Sequence, residues 1–78
     1  MPRFFFHLRN GVAAEDEEGA ELADWEAAIE RATRDARSIM AEEIKQEGRV
    51  TLHHRIEITD CNGPVATVRF ADVVDIER

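Results

Sequence analysis

The sequence predicts an α+β domain in the order β(β)αββ, with one long amphipathic helix on one face of a three- to four-stranded, mostly antiparallel sheet. Three observations lead to this prediction. Alternating residues open the chain at 3–9, an apolar stripe with helical spacing covers 25–47, and two alternating runs flank a turn at 61–63. The chain of 78 residues is expected to form a single domain, 1–78.

The first strand is predicted at Arg3–Arg9. Every second residue from Phe4 falls on one face, which we expect to pack against the helix. Phe5 and His7 fall on the other face. A single helix covers only one side of a sheet, so this second side is expected to stay uncovered.

A turn and an acidic stretch follow. The pair Asn10-Gly11 is typical of a two-residue type I′ turn, because both residue types tolerate positive φ. The chain could return along Val12–Ala14, but alanine is a poor strand former and the sequence leaves this strand open. Residues 15–18 lack the alternating ligand spacing of a calcium loop, so we expect a solvated loop.

The helix is predicted from Trp25 to Glu47. Asp24 is a favourable N-cap residue and Gly48 is a natural C-terminal stop. At 1.5 Å per residue the helix would be about 34 Å long, against roughly 20 Å for the strands. Its apolar residues recur at intervals of three and four: Trp25, Ala28, Ile29, Ala32, Ala36, Ile39, Met40 and Ile44.

Two further strands are predicted at Leu52–Thr59 and Pro64–Phe70. A three-residue loop, 61–63, with Gly63 as a left-handed bulge residue, sets the apolar faces of both strands opposite each other. This register pairs Asp60 with Pro64, Ile58 with Ala66, Ile56 with Val68 and His54 with Phe70, and on the other face Arg55 with Arg69.

Two features are left undecided by the sequence. Asp72–Arg78 could extend the last strand, form one helical turn or dock on a neighbouring chain. His54 lies on the face assigned to the core, and if buried there it should be neutral and hydrogen-bonded.

The sequence offers few candidates for catalytic or metal-binding residues. His53 and His54 are adjacent on a strand and point to opposite faces, and the chain has no Cys-x-x-Cys, His-x-x-x-His or His-Glu-x-x-His spacing. Cys61 follows Asp60, whose charge disfavours a thiolate. One helix on a small sheet also offers little cleft for paired carboxylates. We therefore expect no enzymatic activity, no metal and no cofactor.

The net charge and the single cysteine indicate which classes of partner and which cellular compartment to expect. A formal net charge of -7 repels the phosphates of nucleic acids and anionic lipid surfaces. The chain has no apolar stretch long enough for a membrane span or a secretory signal. Its single cysteine is typical of a reducing compartment. We expect a cytoplasmic protein that binds neither nucleic acid nor membrane.

A candidate interface lies on the uncovered side of the predicted sheet. Phe5 and His7 fall there with Val65, and an uncovered apolar patch on a small domain usually marks an interface. Arg55 and Arg69 are placed directly opposite each other, which is mildly destabilising unless Glu57 or acidic residues of a partner offset the repulsion. These five candidates, Phe5, His7, Arg55, Val65 and Arg69, predict a non-catalytic interaction or structural module that forms a homodimer. The alternative is a monomeric acidic inhibitor or adaptor that binds a basic protein.

The chain also resembles a known group of proteins. It opens with Met1-Pro2-Arg3-Phe4-Phe5-Phe6-His7-Leu8 and carries Asp16-Glu17-Glu18-Gly19-Ala20-Glu21-Leu22 before the helix. This resembles a family of small bacterial proteins with a domain of unknown function, which typically open Met-Pro-Arg-Tyr-Phe-Phe-His. Phe4 here replaces the usual Tyr and removes a hydroxyl. The resemblance covers almost the whole chain and implies no known activity, cofactor or functional residue.

Overall fold

The computed structural model describes residues 1–11 and 13–77 and confirms the predicted α+β fold. The sheet is antiparallel with the order β2 (Ala13–Ala14), β1 (Arg3–Arg9), β4 (Arg55–Asp60) and β5 (Gly63–Arg69), and a further short strand, β3 (Ala20–Glu21), also pairs with β1. The helix covers one face of this sheet, and the core lies between them. In chain order the elements are β1 (Arg3–Arg9), β2 (Ala13–Ala14), β3 (Ala20–Glu21), α1 (Trp25–Glu47), β4 (Arg55–Asp60), β5 (Gly63–Arg69) and a 3₁₀ turn (Phe70–Asp72).

The first strand ends as predicted, but the turn after it is longer than predicted. Arg9 lies opposite Ala13, so three residues separate the paired positions, and the predicted two-residue type I′ turn is wrong. That turn needs positive φ at both central residues. Gly11 has a φ of 96°, whereas no described non-glycine residue has a positive φ. Of the possible return strand, Ala13–Ala14 forms β2, and Val12 lies outside the described residues.

The short strand β3 was not predicted. Both β2 and β3 pair with the same edge of β1, but in different registers. Continuing the pairing of Leu8 with Ala14 would place Glu18 opposite Phe4, whereas Ala20 lies there. Two extra residues are therefore looped out between β2 and β3. We call residues 15–19 the acidic loop.

The helix begins and ends as predicted. The Asp24 carboxylate accepts a hydrogen bond from the Ala27 backbone N–H at 2.8 Å and so caps the first turn. Gly48 has a φ of 69° and donates its backbone N–H to the Ile44 carbonyl, which ends the helix.

The buried face of the helix is narrower than the predicted stripe. Ala28, Ala32 and Ala36 are fully buried, and small side chains there bring the helix close to the sheet. Trp25 and Ile44, at the two ends of the predicted apolar stripe, are 56% and 51% exposed and lie outside the core. A 23-residue helix is longer than the seven-residue strands beneath it, and both ends extend past the sheet.

The hairpin of β4 and β5 has the predicted register along most of its length but a different turn. Ile58 pairs with Ala66 as predicted, while Asp60 pairs with Gly63. The loop therefore has two residues, and the register shifts by one at a bulge between Ile58 and Thr59. A two-residue loop followed by this bulge gives the same facial pairing as the predicted three-residue loop.

The ends of the hairpin also differ from the prediction. Strand β4 begins at Arg55 rather than at Leu52. His54 still accepts a backbone hydrogen bond from Phe70 at 3.0 Å, and its half-buried ring lies edge-on to the Phe70 ring. After the 3₁₀ turn, Val73 is buried in the core, and its carbonyl accepts a hydrogen bond from Arg37.

None of the described helices is long and apolar enough to cross a membrane.

Candidate functional site

The sheet face that points away from α1 is called here the outer face. It carries mainly polar and charged side chains together with the Phe5 ring, in contrast to the apolar face beneath the helix, which includes Phe4, Phe6 and Phe70. From β1 to β5 its residues are Phe5, His7, Arg9, Thr59, Glu57, Arg55, Thr67 and Arg69.

Two arginines lie opposite each other on this face, as predicted. Arg55 and Arg69 occupy facing positions of β4 and β5. Arg55 donates to Glu57 at 3.2 Å, and Arg69 donates to both carboxylate oxygens of Asp72 at 2.9 and 3.3 Å. Each guanidinium therefore has an acidic partner within its own chain, which offsets the repulsion between them.

His7 is buried, although it was predicted to lie on an uncovered face. Only 8% of the residue is exposed, because the acidic loop folds over it. Its Nε2 lies 3.0 Å from the Thr59 hydroxyl, and its Nδ1 accepts a hydrogen bond from the Asp16 backbone N–H at 3.1 Å. The ring thus connects the acidic loop to β4.

The hydroxyl, imidazole and carboxylate groups at His7 are arranged like a nucleophile–base–acid catalytic triad. The Thr59 hydroxyl lies at one ring nitrogen, and a Glu15 carboxylate oxygen lies 3.1 Å from the other, Nδ1. A backbone N–H can only donate, so the Asp16 N–H leaves Nδ1 of the neutral ring without a proton. Nε2 then carries the proton and donates it to Thr59, which is opposite to the direction needed to activate a hydroxyl. This arrangement favours a structural role for His7.

Asp16 organises the acidic loop. Its carboxylate accepts backbone hydrogen bonds from Phe6, Glu18 and Gly19, each at 3.1 Å. Burial acts to raise the pKa of Asp16, but the N–H groups of Phe6, Gly19 and Glu18 outweigh it and hold the pKa below the ordinary value, with a smaller contribution from His7. The charged carboxylate therefore replaces the carbonyl that a neighbouring strand would offer to Phe6.

A second ionic group links the acidic loop to β4 through Arg9. Its guanidinium donates to Glu57 at 2.8 Å and lies 2.8 Å from Glu15. The hydrogen bond from Arg9 holds the pKa of Glu57 below its ordinary value, against the opposing effect of desolvation, and Arg55 adds to the lowering. Glu15 thereby forms an ion pair with Arg9, so the loop is held to β1 by charge as well as by backbone bonds.

Phe5 lies next to the same loop. The ring is half-buried and stacks at 6.5 Å from the ring of His7. A Cβ atom added to Gly19 would lie 2.6 Å from the Phe4 carbonyl oxygen and 2.9 Å from Cδ1 of Phe5. The chain needs glycine at this position both for this close approach and for its φ of 69°.

The structure separates the five predicted interface residues into two groups. Phe5 and His7 are adjacent and belong to the cluster beneath the acidic loop. Arg55, Val65 and Arg69 lie at the other side of the sheet, on β4 and β5. Val65 is the extra residue of the bulge and packs partly buried against the hydrophobic core rather than lying free on the outer face, and a hollow of about 260 Å³ lies beside it.

The two edges of the sheet differ. On the outer edge of β1, backbone groups pair with β2 and β3, and the Asp16 carboxylate accepts the N–H of Phe6 between them. The outer edge of β5, called here the open edge, pairs with no strand in the described ranges 1–11 and 13–77. Unpaired edge strands are ready templates for another strand.

A groove of about 300 Å³ lies on the helix side of β1. The Arg31 guanidinium lies 5.5 Å above the Phe6 ring at its margin and forms a cation–π contact there. The groove is lined by Phe6, Leu8, Asp35, Ser38, Ile39 and Ile56.

Metal ligation was also considered for the acidic residues. Across residues 1–11 and 13–77, no three His, Cys, Asp or Glu side chains are grouped so that they could hold a metal ion. The carboxylate of Asp16 is occupied by backbone donors, and that of Glu15 by Arg9 and His7.

Sequence reasoning missed Asp16 and Thr59, the two residues that hold His7 in place. One local signal for Asp16 exists. An aspartate three residues before a glycine often bonds the backbone of its own turn, as Asp16 does with Gly19. Thr59 had no such signal, because its contact with His7 joins residues that are 52 positions apart in the chain.

Comparisons with known proteins identify a family but assign no activity. A family model described as a domain of unknown function (DUF6894) matches residues 3–71. The resemblance to an uncharacterised domain family is thereby confirmed. Neither a curated protein nor a solved structure is significantly similar to the chain.

Proposed function

We propose that this chain, which belongs to the family described as a domain of unknown function (DUF6894), is a non-catalytic protein-interaction module that associates with itself. The observation that carries the proposal is the difference between the two sheet edges. The edge of β1 is closed by two short strands and by Asp16, whereas the edge of β5 has no described neighbour. Proteins usually protect exposed edges, so an open edge beside a closed one is expected to be a pairing surface.

The outer face supports a binding role rather than a catalytic one. Its ionic side chains are paired within the chain, and His7 is held by three neighbours instead of facing a cleft. An interaction module also accounts for the small size of the chain. Domains of this length often gain stability from a partner subunit, because they bury a modest fraction of their surface alone.

The solution mass tests this proposal. Light scattering on the purified protein over a range of concentrations, at low and at high salt, should give twice the chain mass of 8.9 kDa. Backbone pairing and apolar contacts resist salt, so the dimer should persist at high salt. A mass of one chain at several hundred micromolar would contradict self-association.

A second candidate is an acidic adaptor that binds a basic protein as a monomer. Glu17 and Glu18 are exposed at the tip of the acidic loop, and neither side chain has a basic partner among the described residues. Capture of a basic protein that is lost above about 0.3 M salt, together with a monomeric mass, would favour this candidate.

The proposed setting is the cytoplasm of a bacterial cell. The single cysteine, Cys61, is exposed, and a lone exposed thiol is typical of a chain in a reducing compartment. The bacterial source follows from the sequence resemblance described above. Localisation of a tagged chain in fractionated cells tests the compartment.

A further inference from the structure

We infer that the occupant of the open edge is a second copy of this chain, joined β5 to β5 in antiparallel fashion about a two-fold axis at Thr67. This inference rests on the proposed self-association and specifies its interface. A two-fold axis uses the same surface on both copies, which suits a single unpaired strand.

The backbone hydrogen bonds identify the free groups of the open edge. In an antiparallel pair, residues that exchange backbone hydrogen bonds alternate with residues that do not. Phe70 donates its N–H to the carbonyl of His54, the residue opposite, at 3.0 Å. Val68 and Ala66 therefore bond to β4 as well, and the N–H and C=O groups of Thr67 and Arg69 point away from β4.

These free groups match those of a second copy. With Thr67 opposite its own copy, Thr67 of each chain can donate to and accept from Thr67 of the other. Arg69 then lies opposite Val65 of the second copy, where the bulge interrupts the alternation, so the backbone match is centred on the Thr67 pair. Pro64 has no N–H, but its position falls outside this stretch and costs no hydrogen bond.

The side-chain charges favour a two-fold axis at Thr67 over one at Arg69. An axis at Arg69 would set two guanidinium groups opposite each other across the interface, which is destabilising. An axis at Thr67 separates them and creates a threonine pair, which is favourable in antiparallel sheets. On the helix side, Ala66 then lies opposite Val68 of the second copy, and both are apolar residues.

The two-fold arrangement also brings apolar side chains of the two copies together beside the paired strands. A two-fold axis perpendicular to the sheet places both helices on the same face. The segment after β5 runs on that face, where Val73 is buried and Arg37 bonds to its carbonyl. Ile76, which is 65% exposed, follows in this segment and is available to contact the second copy.

A charge-swap experiment at Thr67 tests the interface and its register. Thr67 is exposed, so both Thr67→Lys and Thr67→Glu should fold, although Thr67→Glu faces Glu57 within the chain and should be slightly less stable. Each variant alone places like charges opposite each other and should raise the dimer Kd by about fivefold or more. Mixing the two variants in equal amounts should restore dimers that contain one chain of each.

Matched controls come from Ala41→Lys and Ala41→Glu, since Ala41 is exposed on the side of α1 away from the sheet. These variants should dimerise as the unmodified chain does. Thermal unfolding of all four variants checks that they remain folded. Masses are measured by light scattering, and mixed dimers are identified by native mass spectrometry.

The possible outcomes separate this inference from the proposed function. An unmodified chain that stays monomeric contradicts both. An unmodified dimer that is unaffected by either Thr67 variant keeps self-association and overturns the β5 interface. Single variants whose Kd rises but which form no mixed dimers when combined overturn the register at Thr67. Rescue by mixing supports the interface and the register together.

Discussion

The carboxylate of Asp16 accepts the backbone N–H of Phe6 at 3.1 Å, at the point of the β1 edge where a paired strand would offer a carbonyl. The two short strands on either side differ in register by two residues, and Asp16 bridges the gap between them. A side chain therefore completes the pairing that the backbone interrupts.

Replacing Asp16 should destabilise the fold. Asp16→Ala removes the acceptor of three backbone N–H groups and should lower the free energy of unfolding by about 1–3 kcal/mol. Urea denaturation measures the change. Glu17→Ala is the matched control, since Glu17 is exposed in the same loop, and should change stability by less than about 0.5 kcal/mol. Equal effects of the two variants would show that Asp16 does not organise the loop.

The contribution of Asp16 should depend on pH. Its pKa in the folded chain lies below the unfolded value of about 3.9, so its charged form is favoured by folding. This stabilisation is complete above about pH 5 and is lost as the pH falls through the folded pKa. Urea denaturation at several pH values should show the stability difference between the unmodified chain and Asp16→Asn shrinking below pH 4. A difference that stays constant down to pH 2 would contradict the assignment.

Two glycines with the same φ offer a direct comparison. Gly19 and Gly48 both have a φ of 69°, but only Gly19 faces close backbone and ring atoms. Gly48→Ala should cost about 1 kcal/mol, because a side chain is strained in the left-handed region. Gly19→Ala should cost at least about 1 kcal/mol more, because the new Cβ must displace the Phe4 carbonyl or the Phe5 ring. Thermal and urea unfolding of the two variants tests the ranking, which equal losses would refute.

The small residues of the helix should resist enlargement. Ala32 is fully buried between α1 and the sheet, so Ala32→Leu should cost about 1–3 kcal/mol through overpacking. Ala41→Leu makes the same change at an exposed helical position and should be nearly neutral. Denaturation midpoints of both variants measure the difference, and a neutral Ala32→Leu would mean that the helix lies farther from the sheet.

Local signals were enough to predict the helix and the first strand. Asp24 and Gly48 act within a few residues of the helix ends, and the alternation in Arg3–Arg9 depends only on neighbours. The hairpin turn was ambiguous for a physical reason. A three-residue loop and a two-residue loop with a bulge leave Ile56 opposite Val68 in both cases, so the apolar pattern cannot separate them.

The candidate site was harder to predict, because its contacts join distant parts of the chain. Alternation correctly placed His7 on the outer face, but it could not show that residues 15–19 fold over that face. The exposure of Trp25 was not predictable for a related reason, since helical spacing says nothing about where the sheet ends. The open edge could not be predicted either, because it depends on the strand order.

The closed edge of β1 bears on how large an assembly joined through β5 could grow. Strand addition at an open edge can continue indefinitely when the far edge of each new subunit is open as well, and fibrils form in this way. In this chain the far edge is occupied by residues 13–21. Two copies joined at β5 would present at both extremities an edge already paired by β2 and β3, so strand addition would stop at two copies.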